Sequence, residues 1–209
     1  IGIVNGTTNY ILTRMQTEGA DFAEVLADAQ QLGFAEADPT ADVDGLDAAD
    51  KIAILASLAF GGRINLEDIH CEGIGKVSAA DIDYADKLGF VIKLLAIAER
   101  VESGAISVRV HPTFVPKDRP LANVNGVYNA ILVEGEPLGE LMLYGRGAGA
   151  GPTASAVVSD IMNIAAILKT ETVPIPHPLL SCNHQHYCKI SPMQELVTRF
   201  YARFLTRDT

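Results

Sequence analysis

Residues 46–60 read LDAADKIAILASLAF, polar for one helical turn and apolar on almost every side afterwards. A helix that is apolar all round has to be buried, so the rest of the chain must supply layers that enclose it. Its polar first turn must then point at something other than the core.

The flanking pattern supplies those layers. A helix is expected over residues 8–16, where Asn5 and Thr7 are good N-caps and Tyr10, Ile11 and Met15 fall at helical spacing. A second helix starts at Asp21 with Glu24 three residues on, an arrangement like a capping box, and Gly33 ends it after Leu32. Residues 34–45 read as a loop, and Leu46 or Asp47 opens the buried helix. Beyond Gly61-Gly62, residues 69–74 suit a short strand, and Ser78 with Asp81 opens a helix that stops at Gly89. Residues 90–99 form a continuous apolar run that fits helix or strand. Residues 106–113 alternate as a strand should, after a turn at Ser103-Gly104, and strands over 127–133 and 138–143 flank the turn EGEP. A glycine-rich turn then leads into a helix over 152–169, with Pro152 in its first turn, where a missing N–H costs nothing. The Pro-rich stretch VPIPHP at 173–178 reads as a linker, and residues 198–209 alternate like the first strand of a further domain. Helices and strands thus interleave, which points to an α/β (α+β) fold, a mixed β-sheet with helices packed on it.

Charge narrows the function classes. The net charge of −10 is carried wholly by residues 15–50, which hold ten acids and no Lys or Arg, while the remainder balances at 16 against 16. Without clustered positive charge the chain is not expected to bind nucleic acid or a membrane surface. It contains no run of 18 apolar residues, so no transmembrane helix is expected, and IGIVNGTTNY lacks the basic flank of a signal peptide. Cys71, Cys182 and Cys188 form no disulfide framework, which suits a reducing compartment and a cytoplasmic location. No initiator Met is present, and the chain is expected to be a piece of a longer protein.

The richest constellation is GFAEADPTADVDGLDAADK, residues 33–51, with six carboxylates and one lysine around a turn that feeds the buried helix. Asp47 and Lys51 are four apart, on one helix face, with the acid on the N-terminal side as an ion pair prefers. Because IAILASLAF follows at once, the Lys51 ammonium is expected at the mouth of an apolar interior, a setting suited to acid/base work. The competing reading is a helix start decorated with acids plus one surface salt bridge worth under about 1 kcal/mol. A calcium loop does not fit. Aligned on Asp42, Asp44 and Gly45, it would need an acid at Thr40 and a glutamate at Lys51. A second constellation, GRGAGAG at 145–151, sits between a strand and a helix, where glycines let backbone approach an anionic ligand. It lacks the Gly-Lys-Ser/Thr ending of a phosphate-binding loop and reads equally as a tight crossover. The one-residue gaps in Cys182, His184, His186 and Cys188 do not match common zinc spacings, so no metal site is expected.

NGTTNYIL, LGFAEADPTADVDGLDAADKIAILA and YGRGAGAGPTASAVVSDI, in this order and spacing, resemble the catalytic part of homoserine dehydrogenases over residues 1–170. The resemblance implies NAD- or NADP-dependent interconversion of L-homoserine and L-aspartate 4-semialdehyde, on the route to threonine, methionine and isoleucine, by a homodimer or higher homo-oligomer. It assigns Lys51 as proton donor and acceptor, Asp47 as the residue that binds substrate and orients Lys51, and Glu36 as the partner of the homoserine amino group. Gly33 and Gly149 would line the cofactor, while Asp38, Asp42, Asp44 and Asp50 receive no role and read as a solvated rim. The family's N-terminal nucleotide-binding domain is expected to be absent, leaving Val157, Ile161, Ile164 and Leu168 of the 152–169 helix with an uncovered apolar face. Residues 171–195 would be a linker and 196–209 the opening strand of an ACT domain. With half of the cofactor site missing, the alternative is a non-catalytic dimerisation or small-ligand-binding module.

Overall fold

A computed structural model describes residues 1–169, 186–204 and 206. Its frame is a mixed six-stranded sheet in the order β2-β4-β3-β1-β5-β6. The strands are β1 (Gly2–Ile3), β2 (His70–Cys71), β3 (Phe90–Arg100), β4 (Ile106–Pro116), β5 (Tyr128–Gly135) and β6 (Gly139–Arg146). β2 runs parallel to β4 and every other pair is antiparallel. Among the described residues six α-helices accompany the sheet: α1 (Gly6–Glu18), α2 (Phe22–Gln31), α3 (Thr40–Val43), α4 (Leu46–Phe60), α5 (Ala79–Lys87) and α6 (Ala150–Lys169).

Both faces of the sheet centre are covered, and this explains the ambiguous apolar run. Ile92, Leu94 and Ala96 of β3 pack with Ile11, Leu12 and Met15 of α1 and Ile52 and Ala56 of α4 on one side. On the other side Val91, Leu95 and Ile97 meet Leu121, Ala122 and Val124, a single 3-10 turn and its exit. A strand buried on both faces loses its alternation, so period alone cannot distinguish it from a helix.

Lys93 interrupts that run. Where β1 ends between β3 and β5, the Lys93 ammonium donates to the Val124 carbonyl (2.6 Å), Asn9 Oδ1 (3.1 Å) and Asn125 Oδ1 (3.1 Å). Asn9 in turn donates to the carbonyls of Val124, Gly126 and Tyr128, so one lysine and one asparagine tie α1 to the entry of β5.

Several local expectations are corrected. Residues 34–45 are not a simple loop, because Thr40–Val43 makes a helical turn started by Asp38, whose side chain accepts from the Thr40 N–H and hydroxyl. Asp21 does N-cap α2 but makes no side-chain cap bond, so the capping box expected with Glu24 does not form, whereas Ser78 and Asp81 form a full one. The expected strand over 69–74 shrinks to two residues. α4 is not enclosed on all sides: Ile54 and Leu58 are 62% and 43% exposed. α6 buries no residue, and Val157, Ile161, Ile164 and Leu168 all lie open, as its pattern implies. By length and composition alone this 20-residue helix would also suffice to cross a bilayer, a property that the count of uninterrupted apolar residues overlooks.

The linker over 171–195 falls mostly outside the described residues, as do Cys182 and His184. Among the described residues no group of three or more His, Cys, Asp and Glu is placed to hold a metal. Residues 196–204 form no strand. Instead Tyr201 stacks on Phe114 at 4.7 Å, and Arg203 pairs with Asp81 of α5 at 2.9 Å.

Two outcomes test this frame. Burial pushes Lys93 down to about 8 from 10.5, so between those values the unfolded chain binds more protons and folding is favoured by raising the pH. Below that window both states are protonated and the burial cost is carried in full. Urea denaturation should show the stability of wild type relative to Lys93→Met growing by roughly 3 kcal/mol across the window; a pH-independent difference would contradict this picture. At Gly73 an added Cβ would overlap the Val43 carbonyl oxygen and the Asp44 backbone, which lead into α4. Gly73→Ala should therefore destabilise by about 2–3 kcal/mol, read as a lowered urea midpoint.

Candidate active site

The site forms where β1 gives way to α1. Asn5 has extended backbone angles (φ −124°, ψ 114°), and its Oδ1 accepts the Thr8 N–H at 2.8 Å, which caps α1. α4 begins after Gly45, whose left-handed φ of 84° suits glycine, and it places Asp47 in its first turn and Lys51 one turn later. The two elements meet here. Lys51 Nζ donates to Asp47 Oδ2 at 2.7 Å and to the Val4 carbonyl at 3.1 Å.

Lys51 is thus held from two sides while its side chain remains 47% exposed. It lies on the wall of an open cavity of about 430 Å³, together with Ile54, Asn129, Tyr144 and the first glycines of the 145–151 turn. The outward apolar side of α4 therefore has a use, since Ile54, three residues after Lys51, is cavity wall. Stacking of Tyr128 on Tyr144 (centroids 5.0 Å apart) and the guanidinium of Arg146 over the Tyr128 ring stiffen the β5–β6 side.

Three further side chains belong to this constellation although sequence reading gave them no role there. Asn5 Nδ2 donates to Asp42 Oδ1 at 2.6 Å and to Asp47 Oδ2 at 2.8 Å, so Asp42 is part of the cluster and not solvated rim. Asn129 Nδ2 donates to the same Val4 carbonyl at 3.3 Å, and its Oδ1 is buried with no partner. For Asn5 the available signal was the cap motif; Asp42 and Asn129 carried none.

The remaining assigned residues are not among those that line that cavity. Glu36 is exposed. Its loop is nevertheless anchored, because Thr7 Oγ1 donates to the Phe34 carbonyl (2.8 Å) and Gln30 Nε2 to the Glu36 carbonyl (3.0 Å). Gly33 has a left-handed φ of 74° just beyond α2, and Gly149, with φ 115°, accepts the Thr153 N–H at the start of α6. Local geometry accounts for both glycines. A larger cavity of about 750 Å³ lies at the opposite edge of the sheet, between β4 and residues 193–203, but it contains no lysine–aspartate pair of this kind. Arg109 on its wall is already engaged by Glu99 at 2.7 Å.

The Lys51 arrangement offers a charged proton donor beside an apolar wall and a glycine-rich turn, which suits protonation of an oxygen on a small molecule. Residues 1–162 match the family profile described as homoserine dehydrogenase. The homoserine dehydrogenase of Synechocystis sp. is 68% identical over 100% of this chain and 49% of its own length, and that of Neisseria gonorrhoeae is 47% identical over 99% and 48%. The crystal structure of the Thiobacillus denitrificans homoserine dehydrogenase superposes with a TM-score of 0.88 at 45% identity, covering 93% of this chain and 45% of that one. A hyperthermophilic archaeal homoserine dehydrogenase in complex with NADPH superposes at 0.65 and 34% identity, covering 79% of this chain and 46% of that one. The chain spans about half the length of the curated relatives it matches. On the profile match and these identities, the chain belongs to the homoserine dehydrogenase family.

Proposed function

We propose that this chain is the catalytic part of an NAD(P)-dependent homoserine dehydrogenase that interconverts L-homoserine and L-aspartate 4-semialdehyde. The observation that carries the reading is the Lys51 ammonium, hydrogen-bonded to Asp47 and the Val4 carbonyl, and open on its remaining side to the cavity. In the reductive direction Lys51 gives its proton to the aldehyde oxygen, and in the oxidative direction it takes the hydroxyl proton back. Asp47 keeps the ammonium oriented and offers its second oxygen to the substrate. Glu36, exposed on an anchored loop, is the proposed partner of the substrate ammonium, a charge-assisted pair.

The residues present fit one end of a dinucleotide. Ile54 and Leu143 provide apolar wall, Asn129 Oδ1 is an orphaned acceptor beside it, and space beside Gly145 is open. Gly33 and Gly149 are proposed to line the cofactor, which when bound supplies or receives the hydride. Both NAD and NADP remain candidates, with the NADPH complex of the archaeal relative favouring the latter for that protein.

The open apolar face of α6 is proposed to pack on a nucleotide-binding unit, as the resemblance implies, and residues 196–209 to lead into an ACT domain. A cytoplasmic homodimer or higher homo-oligomer is proposed as the working assembly; exposed Val133, Leu138 and Leu141 on β5, β6 and the turn between them support an apolar contact.

In a full-length enzyme containing this chain, Lys51→Ala should lower kcat for homoserine oxidation by about two to four orders of magnitude and leave the dinucleotide KM nearly unchanged. Near-normal kcat in that variant would remove Lys51 from the chemistry. Failure of the parent enzyme to oxidise homoserine with either dinucleotide would instead favour a non-catalytic ligand-binding module.

A further inference from the structure

Asn5 does two jobs with one amide. Its Oδ1 accepts from the Thr8 N–H (2.8 Å) and the Thr8 hydroxyl (3.0 Å), which fixes the orientation of the group and caps α1. Capping alone would be served as well by serine, threonine or aspartate. None of these has an amide N–H to give. Asparagine is distinguished by its other end, which donates to Asp42 Oδ1 at 2.6 Å and Asp47 Oδ2 at 2.8 Å, short bonds of the charge-assisted kind. The side chain is fixed by its surroundings, since Asn5 is 5% exposed.

Asp47 Oδ2 is also the oxygen that receives Lys51 at 2.7 Å. Asn5 and Lys51 therefore converge on one carboxylate oxygen, and among the described residues the other Asp47 oxygen carries no hydrogen bond. The same amide holds Asp42, which forms no salt bridge with Lys51 among the described residues. Without that restraint two carboxylates would share one exposed ammonium, and its direction would no longer be set by Asp47 and Val4. The neighbour of Asn5 completes the grip, because the Val4 carbonyl is the second acceptor of Lys51.

We infer that Asn5 is a positioning residue for proton transfer: its amide keeps Asp42 and Asp47 in place so that Lys51 is directed by one carboxylate and one carbonyl. This rests on the reading of Lys51 as the proton-transfer group. Misplacement of a catalytic group by about 1 Å costs rate on the order of a hundredfold without abolishing binding.

The test uses a full-length enzyme containing this chain, with Asn5→Asp and Asn5→Ser, both of which retain a cap acceptor for Thr8. Thr8→Val serves as a control that weakens the cap and leaves the Asn5 amide in place. Melting temperature, kcat, and KM for homoserine and for dinucleotide are measured for each. The expected result is a fall in kcat of about 10- to 100-fold in both Asn5 variants, a dinucleotide KM within about twofold of wild type, and no comparable fall in Thr8→Val at matched or greater loss of melting temperature. If kcat in the Asn5 variants stays within about twofold, or if kcat tracks melting temperature equally through Thr8→Val, Asn5 is only a cap and the inference is overturned. Lys51→Ala in the same series separates the two levels: near-normal kcat there overturns the assignment of Lys51, whereas a normal Asn5→Asp beside an inactive Lys51→Ala overturns the role of Asn5 alone.

Discussion

The arrangement of this molecule depends on where β1 stops. It pairs with β3 on one side and β5 on the other as far as Ile3, and Asn5 then turns the chain straight into α1. Ending a central strand at this point leaves a gap in the sheet, bounded by the tail of β1, the entry of β5 and the start of α1. Backbone groups freed at such a point must find other partners. At Val4 the carbonyl finds Lys51 and Asn129, and that substitution of side-chain donors for a ladder bond is what draws the cluster together.

The same gap accounts for the second lysine. Lys93 lies in the run FVIKLLAIAER of β3 and is only 1% exposed, so its ammonium has exchanged water for three protein acceptors. A buried cation with no carboxylate partner is costly, which is why its proton affinity is depressed. Lys51 on the other side of the Val4 junction has the opposite arrangement, with a carboxylate at 2.7 Å and half its side chain in water. One lysine closes the sheet and the other faces the cavity, and burial together with the partner set assigns them these different roles.

How much of this the sequence disclosed follows from the range of the forces involved. Caps and turns are local, so Ser78 with Asp81, the ends at Gly33 and Gly89, and the start of α4 could all be read directly. The i,i+4 relation of Asp47 and Lys51 was equally local and was found as a contact. Asn5 with Asp42 and Asp47, at separations of 37 and 42 residues, could not be, because no spacing rule reaches across a fold. The resemblance gave Asp42 no role and left it on the solvated rim, and the apolar sides of α4 implied burial when Ile54 lines a cavity. Lys93 was passed over because one charge in an apolar run scarcely changes its character.

The acidic segment over residues 15–50 is best understood by how each charge is compensated. Glu18 and Asp28 both reach Arg14, at 2.5 and 3.2 Å, on a surface where such pairs contribute little. Asp42 and Asp47, by contrast, are both held by a neutral amide, and only Asp47 pairs with the one nearby cation, Lys51. A neutral donor stabilises a carboxylate without cancelling its charge. That leaves net negative potential around Lys51, which favours the approach of a cationic ligand group. A second cation in place of Asn5 would quench that potential, and a capping residue without N–H groups would leave the carboxylates to rearrange around Lys51. An asparagine at the end of β1 meets both requirements, and it sits next to Val4, whose carbonyl is the second acceptor of Lys51.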